Sequence, residues 1–478
     1  MLIIAGTHSG CGKSTVVLGL LAALKFSGHD VQPFKAGPDF IDTGLHSMIA
    51  GRPSRNLDLW MCGVDYVREC VRRHCAGAGL AVTEGVMGFF DGGERSTAAL
   101  AKALGTKNIV LVVDAGGMGE SAGAIIRGFN SEGGIRGVIF NRVAGAGHYE
   151  KLKSACRGVE VLGYLPRDAG YSISARHLGL TVAEERPISE EALQLLAEAV
   201  IRHIDIKRVR ELAETAKDGK TCSPALESPE NEPGSTVNIA VARDRAFCFY
   251  YEDNLDMLRD AGARILPFSP LSDGGLPADA DAVYLGGGYP ELYARELCEN
   301  ESMTASIRNW AEAWGPVFAE CGGFMYLGEG IRSGYSGEDI MEGGEFFPLC
   351  GVLPMVTGIM QHTGETVKGR PSLGYREAVF SEDCMLGGKN ARLRGHEFHY
   401  SQVLEIKDGK PGVRFNVFGE ADRGEMDKKM EIKIKTKKSS ALYKSTLAGY
   451  THFHFGSNPR AAENMVRSIR RSKKERKG

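Results

Sequence analysis

Short apolar runs alternate with longer segments of helical spacing from the first residue onward. Leu2-Ile3-Ile4-Ala5 predicts a strand, a glycine-rich turn follows, and Thr15 to Leu24 carries a helical pattern. Val31 to Lys35, Leu80 to Glu84, Ile109 to Asp114, Gly137 to Asn141 and Val161 to Tyr164 predict further strands. These runs are continuously apolar, as strands covered on both faces require. The prediction is an α/β, doubly wound parallel-sheet domain with its ligands at the carboxyl ends of the strands. A second α/β pattern starts at Val237 to Ala242, continues through Ala282 to Leu285, and reaches the apolar run that ends at Cys321.

Between the two patterns the character changes. Lys, Glu, Ser, Pro and Asn dominate Asp218 to Pro224 and Glu230 to Ser235, the composition of a linker. At 478 residues the chain is too long for one core. The expected organisation is a first domain over 1–205, a linker over 206–235, a second domain over 236–465 and a basic tail over 466–478. The tail is read as a frayed solvated end rather than a binding arm. The lysine-rich stretch 425–444 is read as a surface hairpin or loop insertion.

Composition narrows the class. Apolar residues make up 43% and charged residues 25%, with 62 glycines and a net charge of −2. That balance exerts no general pull toward nucleic acid or an anionic membrane. No apolar stretch reaches the roughly 20 residues needed to span a bilayer. The first residues lack the basic region and cleavage pattern of a signal peptide, so the expected compartment is the cytoplasm. Eleven cysteines without a Cys-x-x-Cys pair argue against zinc or disulfide frameworks.

Candidate chemistry enters at two strand-to-helix turns. The first is Gly6-Thr7-His8-Ser9-Gly10-Cys11-Gly12-Lys13-Ser14-Thr15, a phosphate-binding loop whose first glycine comes one residue earlier than the usual spacing. Backbone N–H groups and the helix start would cradle phosphates. Lys13 would supply charge and Ser14 a Mg²⁺ ligand. Asp39, Asp42, Glu84 and Asp91 stand at or near strand ends, as metal or substrate carboxylates would. Ser14, Asp39 and Glu84 are the candidate metal ligands.

The second turn follows Val317-Phe318-Ala319-Glu320: Cys321 precedes Gly322-Gly323 and a helical pattern. This is the form of an elbow that holds a nucleophile on a strained tip. The expected base is on the aromatic strand with His452 and His454, which strand alternation would place on one face. Gly287, in Gly286-Gly287-Gly288, and Gly322 are candidate oxyanion donors. His396 and His399 read as a polar substrate wall rather than a metal site.

These blocks, together with Lys35 to Asp42, Gly51 to Met61, Glu84 to Gly92, Arg394 to Ser401 and His452 to Pro459, are similar to the cobyrinate a,c-diamide synthases, glutamine- and ATP-dependent amidotransferases of corrinoid biosynthesis. The similarity runs from the first strand to Pro459. It implies an N-terminal domain like dethiobiotin synthetase and a C-terminal class I glutamine amidotransferase domain of the type lacking the usual third-member Glu. By position, Cys321 corresponds to the family's nucleophile and His452 to its base. The resemblance implies ATP and Mg²⁺, glutamine and a tetrapyrrole polycarboxylate as ligands, with a homodimer left open. Lys35, Arg52 and Arg55 are then plausible contacts to the acceptor's carboxylates. Hydrogenobyrinate and nickel-sirohydrochlorin remain alternative acceptors. A P-loop partner-binding ATPase with an inert amidotransferase domain is the alternative of a different class, and an intact Cys321 and His452 argue against it.

Overall fold

A computed structural model describes residues 1–167, 182–185, 188–215, 236–335, 344–360, 372–407, 410–420 and 439–477. The chain divides into two compact units, 1–225 and 226–478.

The first unit alternates strands and helices: β1 (Leu2–Gly6), α1 (Lys13–Phe26), β2 (Val31–Ala36), α2 (Ile41–Ala50), β3 (Arg55–Leu57), α3 (Leu59–Cys75), β4 (Leu80–Glu84), α4 (Thr97–Leu104), β5 (Ile109–Asp114), α5 (Ala122–Gly133), β6 (Gly137–Val143), α6 (Ala146–Ala155), β7 (Glu160–Pro166), α7 (Glu190–His203) and α8 (Ile206–Ala213). The seven strands pair in the order β3-β2-β4-β1-β5-β6-β7, all parallel. Strands β1, β2 and β4 are buried along their whole length. That is why their sequences read as unbroken apolar runs, each fully buried aliphatic side chain contributing about 1.5–3 kcal/mol. β3 escapes the periodicity reading because it is three residues long, polar at two, and at the sheet edge. One expectation shifts here. Residues 206–213, assigned to the linker, form a helix, because Val209 and Leu212 enter the first unit's core. Residues 216–235 of that linker lie outside the described residues.

The second unit contains β8 (Val237–Ala242), α9 (Glu252–Asp260), β9 (Ala263–Phe268), β10 (Ala282–Leu285), α10 (Ala294–Glu299), α11 (Glu301–Glu312), β11 (Val317–Glu320), α12 (Gly322–Tyr326), β12 (Gly330–Tyr335), β13 (Phe346–Pro348), β14 (Met355–Met360), β15 (Ser372–Phe380), β16 (Arg392–His399), β17 (Ser401–Ile406), β18 (Arg414–Phe415), β19 (Phe418–Glu420), β20 (Ser440–Tyr443), β21 (Thr446–Gly449), β22 (His452–Phe453) and α13 (Arg460–Lys477). Its main sheet runs β18-β20-β21-β11-β10-β8-β9, and two four-stranded sheets, β13-β12-β14-β17 and β19-β15-β16-β22, accompany it. The stretch 425–444 is only partly described. Its end is not a surface insertion: Ser440 to Tyr443 are buried and pair antiparallel with β21. The tail expected to fray is helix α13, because Met465, Val466 and Ile469 recur at helical spacing and bury in the core that Leu255 and Leu258 also enter. Among the described residues no helix is long and apolar enough to cross a membrane.

Candidate active sites

The phosphate loop joins β1 to α1 at the middle of the first sheet. Gly10 and Gly12 sit at φ 84° and 91°, a conformation side-chain-bearing residues rarely adopt. Gly6 is needed for space instead. A Cβ there would lie 2.6 Å from Cys11 Sγ and 2.8 Å from Lys13 Cδ. The early glycine therefore marks where the loop and the lysine stem fold back over β1. The Asn141 amide, from β6, donates to the Cys11 carbonyl at 3.1 Å and pins the loop from the other side. Thr7 donates its N–H to the Val112 carbonyl at 3.2 Å, and Thr15 follows Ser14 in the first turn of α1.

Lys13 is 7% exposed, and its ammonium donates to the Met87 carbonyl at 2.5 Å and the His8 carbonyl at 3.4 Å. Burial lowers its pKa. The Ser14 hydroxyl donates to Glu84 Oε1 at 2.7 Å, and Lys35 Nζ donates to the same oxygen at 2.8 Å. Lys35 also pairs with Asp42. Burial works against charge on Lys35, but Asp42 and Glu84 outweigh it and raise its pKa. Burial likewise opposes charge on Glu84, and Lys35 with the His46 hydrogen bond overcomes it, so Glu84 is held below the usual carboxylate range. Asp42, buried beside that ionised Glu84, is pushed up to about 7.

The remaining predicted carboxylates stand further off. Asp39 Oδ1 accepts the Asp42 N–H at 2.9 Å, capping the entry to α2, within electrostatic reach of Lys35. Asp91 Oδ2 accepts the Gly88 N–H at 3.0 Å, bracing the turn that bears Met87. Arg52 is a correction. It pairs with Asp30 at 2.6 Å and donates to the Gly77 carbonyl, at the residues just before β2 and β4. That is the amino end of the sheet, opposite the ligand end, so Arg52 closes the bottom of the domain. Arg55 begins β3 and is 7% exposed, so it presents almost no surface to an acceptor.

The thiol elbow joins β11 to α12. Cys321 has φ 48° and ψ −100°, a strained conformation for a residue with a side chain, and is 4% exposed. Its N–H donates to the Gly449 carbonyl at 2.7 Å, tying the elbow to β21. Gly323 is obligatory, since a Cβ there would lie 2.3 Å from the Leu285 carbonyl oxygen. The Gly322 N–H is directed at the Cys321 sulfur. Burial, with Glu291 and Glu397 near, pushes the thiol pKa up.

His452 is 2% exposed at the start of β22. A Cβ on Gly287 would lie 2.3 Å from its Cε1, so Gly287 exists to let the imidazole in. This corrects the oxyanion assignment. The Gly287 N–H donates to the Phe249 carbonyl at 3.2 Å, whereas the Gly288 amide nitrogen lies 3.1 Å from a Cβ built on Gly322. His452 stacks at 5.1 Å on His396, its ladder partner in β16, and burial lowers its pKa well below the imidazole norm. His454 lies one residue past the end of the strand. β22 ends at Phe453, and His454 turns back to accept the Gly456 N–H at 3.0 Å while its ring lies 4.6 Å from Tyr251.

Several residues escaped the sequence reading. Glu397 accepts from Thr451 at 2.9 Å, Ser372 at 3.2 Å and Arg376 at 3.1 Å. Glu320 accepts the Tyr284 hydroxyl at 2.7 Å and the Phe453 N–H at 2.8 Å, and burial pushes it up to about 8. Glu291 follows Pro290, whose ring abuts Gly322, and burial raises it to about 7. The alternation His396-Glu397-Phe398-His399 was a signal for two opposed polar faces of a strand, and β16 has both.

Comparison with known proteins now adds to the geometry. Residues 2–180 match a CobQ/CobB/MinD/ParA nucleotide binding domain, and 238–460 match a CobB/CobQ-like glutamine amidotransferase domain. A cobyrinate a,c-diamide synthase of Priestia megaterium is 38% identical over 100% of this chain and 98% of its own length. One from Listeria monocytogenes is 39% identical over 98% of this chain and 99% of its own. One from Syntrophotalea carbinolica is 39% identical over 97% of each.

Proposed function

The chain belongs to the cobyrinate a,c-diamide synthase family, and from that membership we propose how its residues amidate the a and c acetate carboxylates of cobyrinate with glutamine and ATP. The observation that carries the reading is one chain, matched end to end, with a strained thiol elbow in one unit and a lysine-bearing phosphate loop in the other.

In the second unit His452, neutral because it is buried, takes the Cys321 proton. The thiolate adds to the side-chain amide carbon of glutamine, with the Gly322 and Gly288 N–H groups facing the developing oxyanion. Ammonia leaves, and water cleaves the thioester to release glutamate and restore the thiol. In the first unit Lys13 exchanges the Met87 carbonyl for ATP phosphate oxygens. A carboxylate oxygen of the acceptor attacks the γ-phosphorus and ADP departs. Ammonia then attacks the acyl carbon and phosphate leaves, giving the amide. Mg²⁺ fits the loop, because Ser14 Oγ and Glu84 Oε1 are oxygen donors 2.7 Å apart, and when bound it supplies charge neutralisation at the phosphates. Lys35 and Asp42 order the wall beside it, with Asp39 and Asp91 bracing the flanking turns. The working compartment is the cytoplasm, where ATP and glutamine are available.

Mass spectrometry of products formed from cobyrinate, its cobalt-free analogue and nickel-sirohydrochlorin tests the acceptor. Two glutamine-dependent amide substitutions on cobyrinate are expected. Amidation of the nickel compound alone overturns the assignment.

A further inference from the structure

The phosphate-loop site holds a buried imidazole that the reaction above leaves unused. His46 lies on α2, one helical turn after Asp42, and is 0% exposed. Its Nε2 is 2.8 Å from Glu84 Oε2. The other carboxylate oxygen, Oε1, receives both the Ser14 hydroxyl and the Lys35 ammonium. Glu84 is thus gripped at both oxygens by three different segments: the phosphate loop, β2 and α2.

The hydrogen-bond inventory fixes which way the imidazole works. An ionised carboxylate can only accept, so the His46 Nε2 carries the proton and donates it. On the other side of the ring, the Ser54 hydroxyl oxygen lies 3.5 Å from Nδ1. Ser54 is buried too, with its own N–H donated to Ser47 Oγ at 2.8 Å. A hydroxyl behind a histidine, and that histidine behind a carboxylate, is the arrangement by which an outer layer fixes the orientation of a metal-binding oxygen.

We propose that His46 is a positioning residue that ties Glu84 Oε2 back so that Oε1 stays turned toward Ser14 for the magnesium of bound ATP. This rests on the reading of the loop as a Mg-ATP site. Without the tie, the carboxylate can swing wholly onto Lys35, which already competes for Oε1. The expected consequence is a loss of metal affinity and not of nucleotide affinity.

The test is Mg²⁺ titration of a fluorescent ATP analogue bound to the full chain, with a parallel arm in EDTA. His46→Leu, close in volume but without a donor, is expected to raise the half-saturating Mg²⁺ concentration about 10–100-fold. Binding in EDTA should not change, and His46→Gln, which keeps an N–H near Oε2, should recover most of the loss. If Leu is not tolerated in the folded chain, His46→Asn, polar but too short to reach Glu84, carries the same expectation. An unaltered Mg²⁺ dependence in these variants overturns the proposal, and so does an equal loss in EDTA, which would make His46 a packing residue. A wild-type protein that binds the analogue with no Mg²⁺ dependence overturns the proposal together with the Mg-ATP reading beneath it.

Discussion

The phosphate loop and the thiol elbow follow the same plan: each is a strand–turn–helix unit at the carboxyl end of the fourth strand of a seven-stranded sheet. They are held in opposite ways. Around the loop, opposite charges face one another directly, with Lys35 against Glu84 and Lys13 resting on a backbone carbonyl, while burial beside Glu84 raises Asp42. Around the elbow, burial favours neutral forms. The thiol and the Glu291 and Glu320 carboxyls are pushed up, and the His396 and His452 imidazoles are pushed down. A site built from paired charges is ready to trade protein partners for phosphate and metal. A site built from neutral buried groups is quiet until a substrate arrives, because its thiol needs a base before it can attack. On the proposed mechanism, the contrast keeps the Cys321 thiol from reacting indiscriminately.

The largest expected effects separate the two sites outright. Cys321→Ala should lower glutaminase activity and glutamine-dependent amidation by about 10³-fold or more, while amidation fed with free ammonium survives. Unchanged glutamine hydrolysis would remove the thiol from the mechanism. Lys13→Ala should show the mirror image, a fall of about 10²–10³-fold in amidation from either nitrogen source, with the Cys321 chemistry intact. Loss of ATP-dependent amidation in neither variant would break the comparison altogether.

A smaller effect probes how the elbow admits its base. Gly287→Ala forces the His452 ring to move, and a displacement of about 1 Å in a reacting group costs on the order of 10²-fold in rate. The loss should appear in the rate of glutamine hydrolysis, with Mg-ATP binding at the loop unaffected. If glutaminase kinetics match the wild type, Gly287 is not what admits the base.

The smallest effect is on stability. Glu320 has a folded-state pKa raised to about 8, above the roughly 4.3 of an unfolded glutamate. The native state therefore holds its proton more tightly. The stability this contributes is complete below about pH 4 and is lost as the pH rises through 8, with a slope approaching about 1.4 kcal/mol per pH unit. Denaturant melts between pH 5 and 8 should show a decline in the wild type that is shallower in Glu320→Gln. Parallel slopes would show that Glu320 is ionised in the fold and that the elbow is less neutral than described.

Both turns were legible in the sequence because each is a contiguous block. A strand, its turn glycines and the following helix start must be consecutive, so Gly10, Gly12, Lys13, Cys321 and Gly323 announce their geometry. The core strands of both sheets were legible for a similar reason, since burial on both faces writes itself as an unbroken apolar run. The short, polar or edge strands were not, as β3 and β22 illustrate. Arg52 was misread because a charge in a family block says nothing about which end of the sheet it occupies. Gly287 was misread because its amide is committed across space to Phe249. His46 had one signal, its spacing of four from Asp42, which places both on one helix face.

Consecutive residues alone specify the two α/β patterns and the two glycine turns that carry Lys13 and Cys321. These depend on local backbone geometry and on periodic burial, which consecutive residues encode. The three-dimensional arrangement puts His452 against Gly287, clasps Glu84 between His46 and Lys35, and assigns Arg52 to the far end of the sheet. Those facts are set by strand order and register, which bring together residues tens to hundreds of positions apart and leave no local trace.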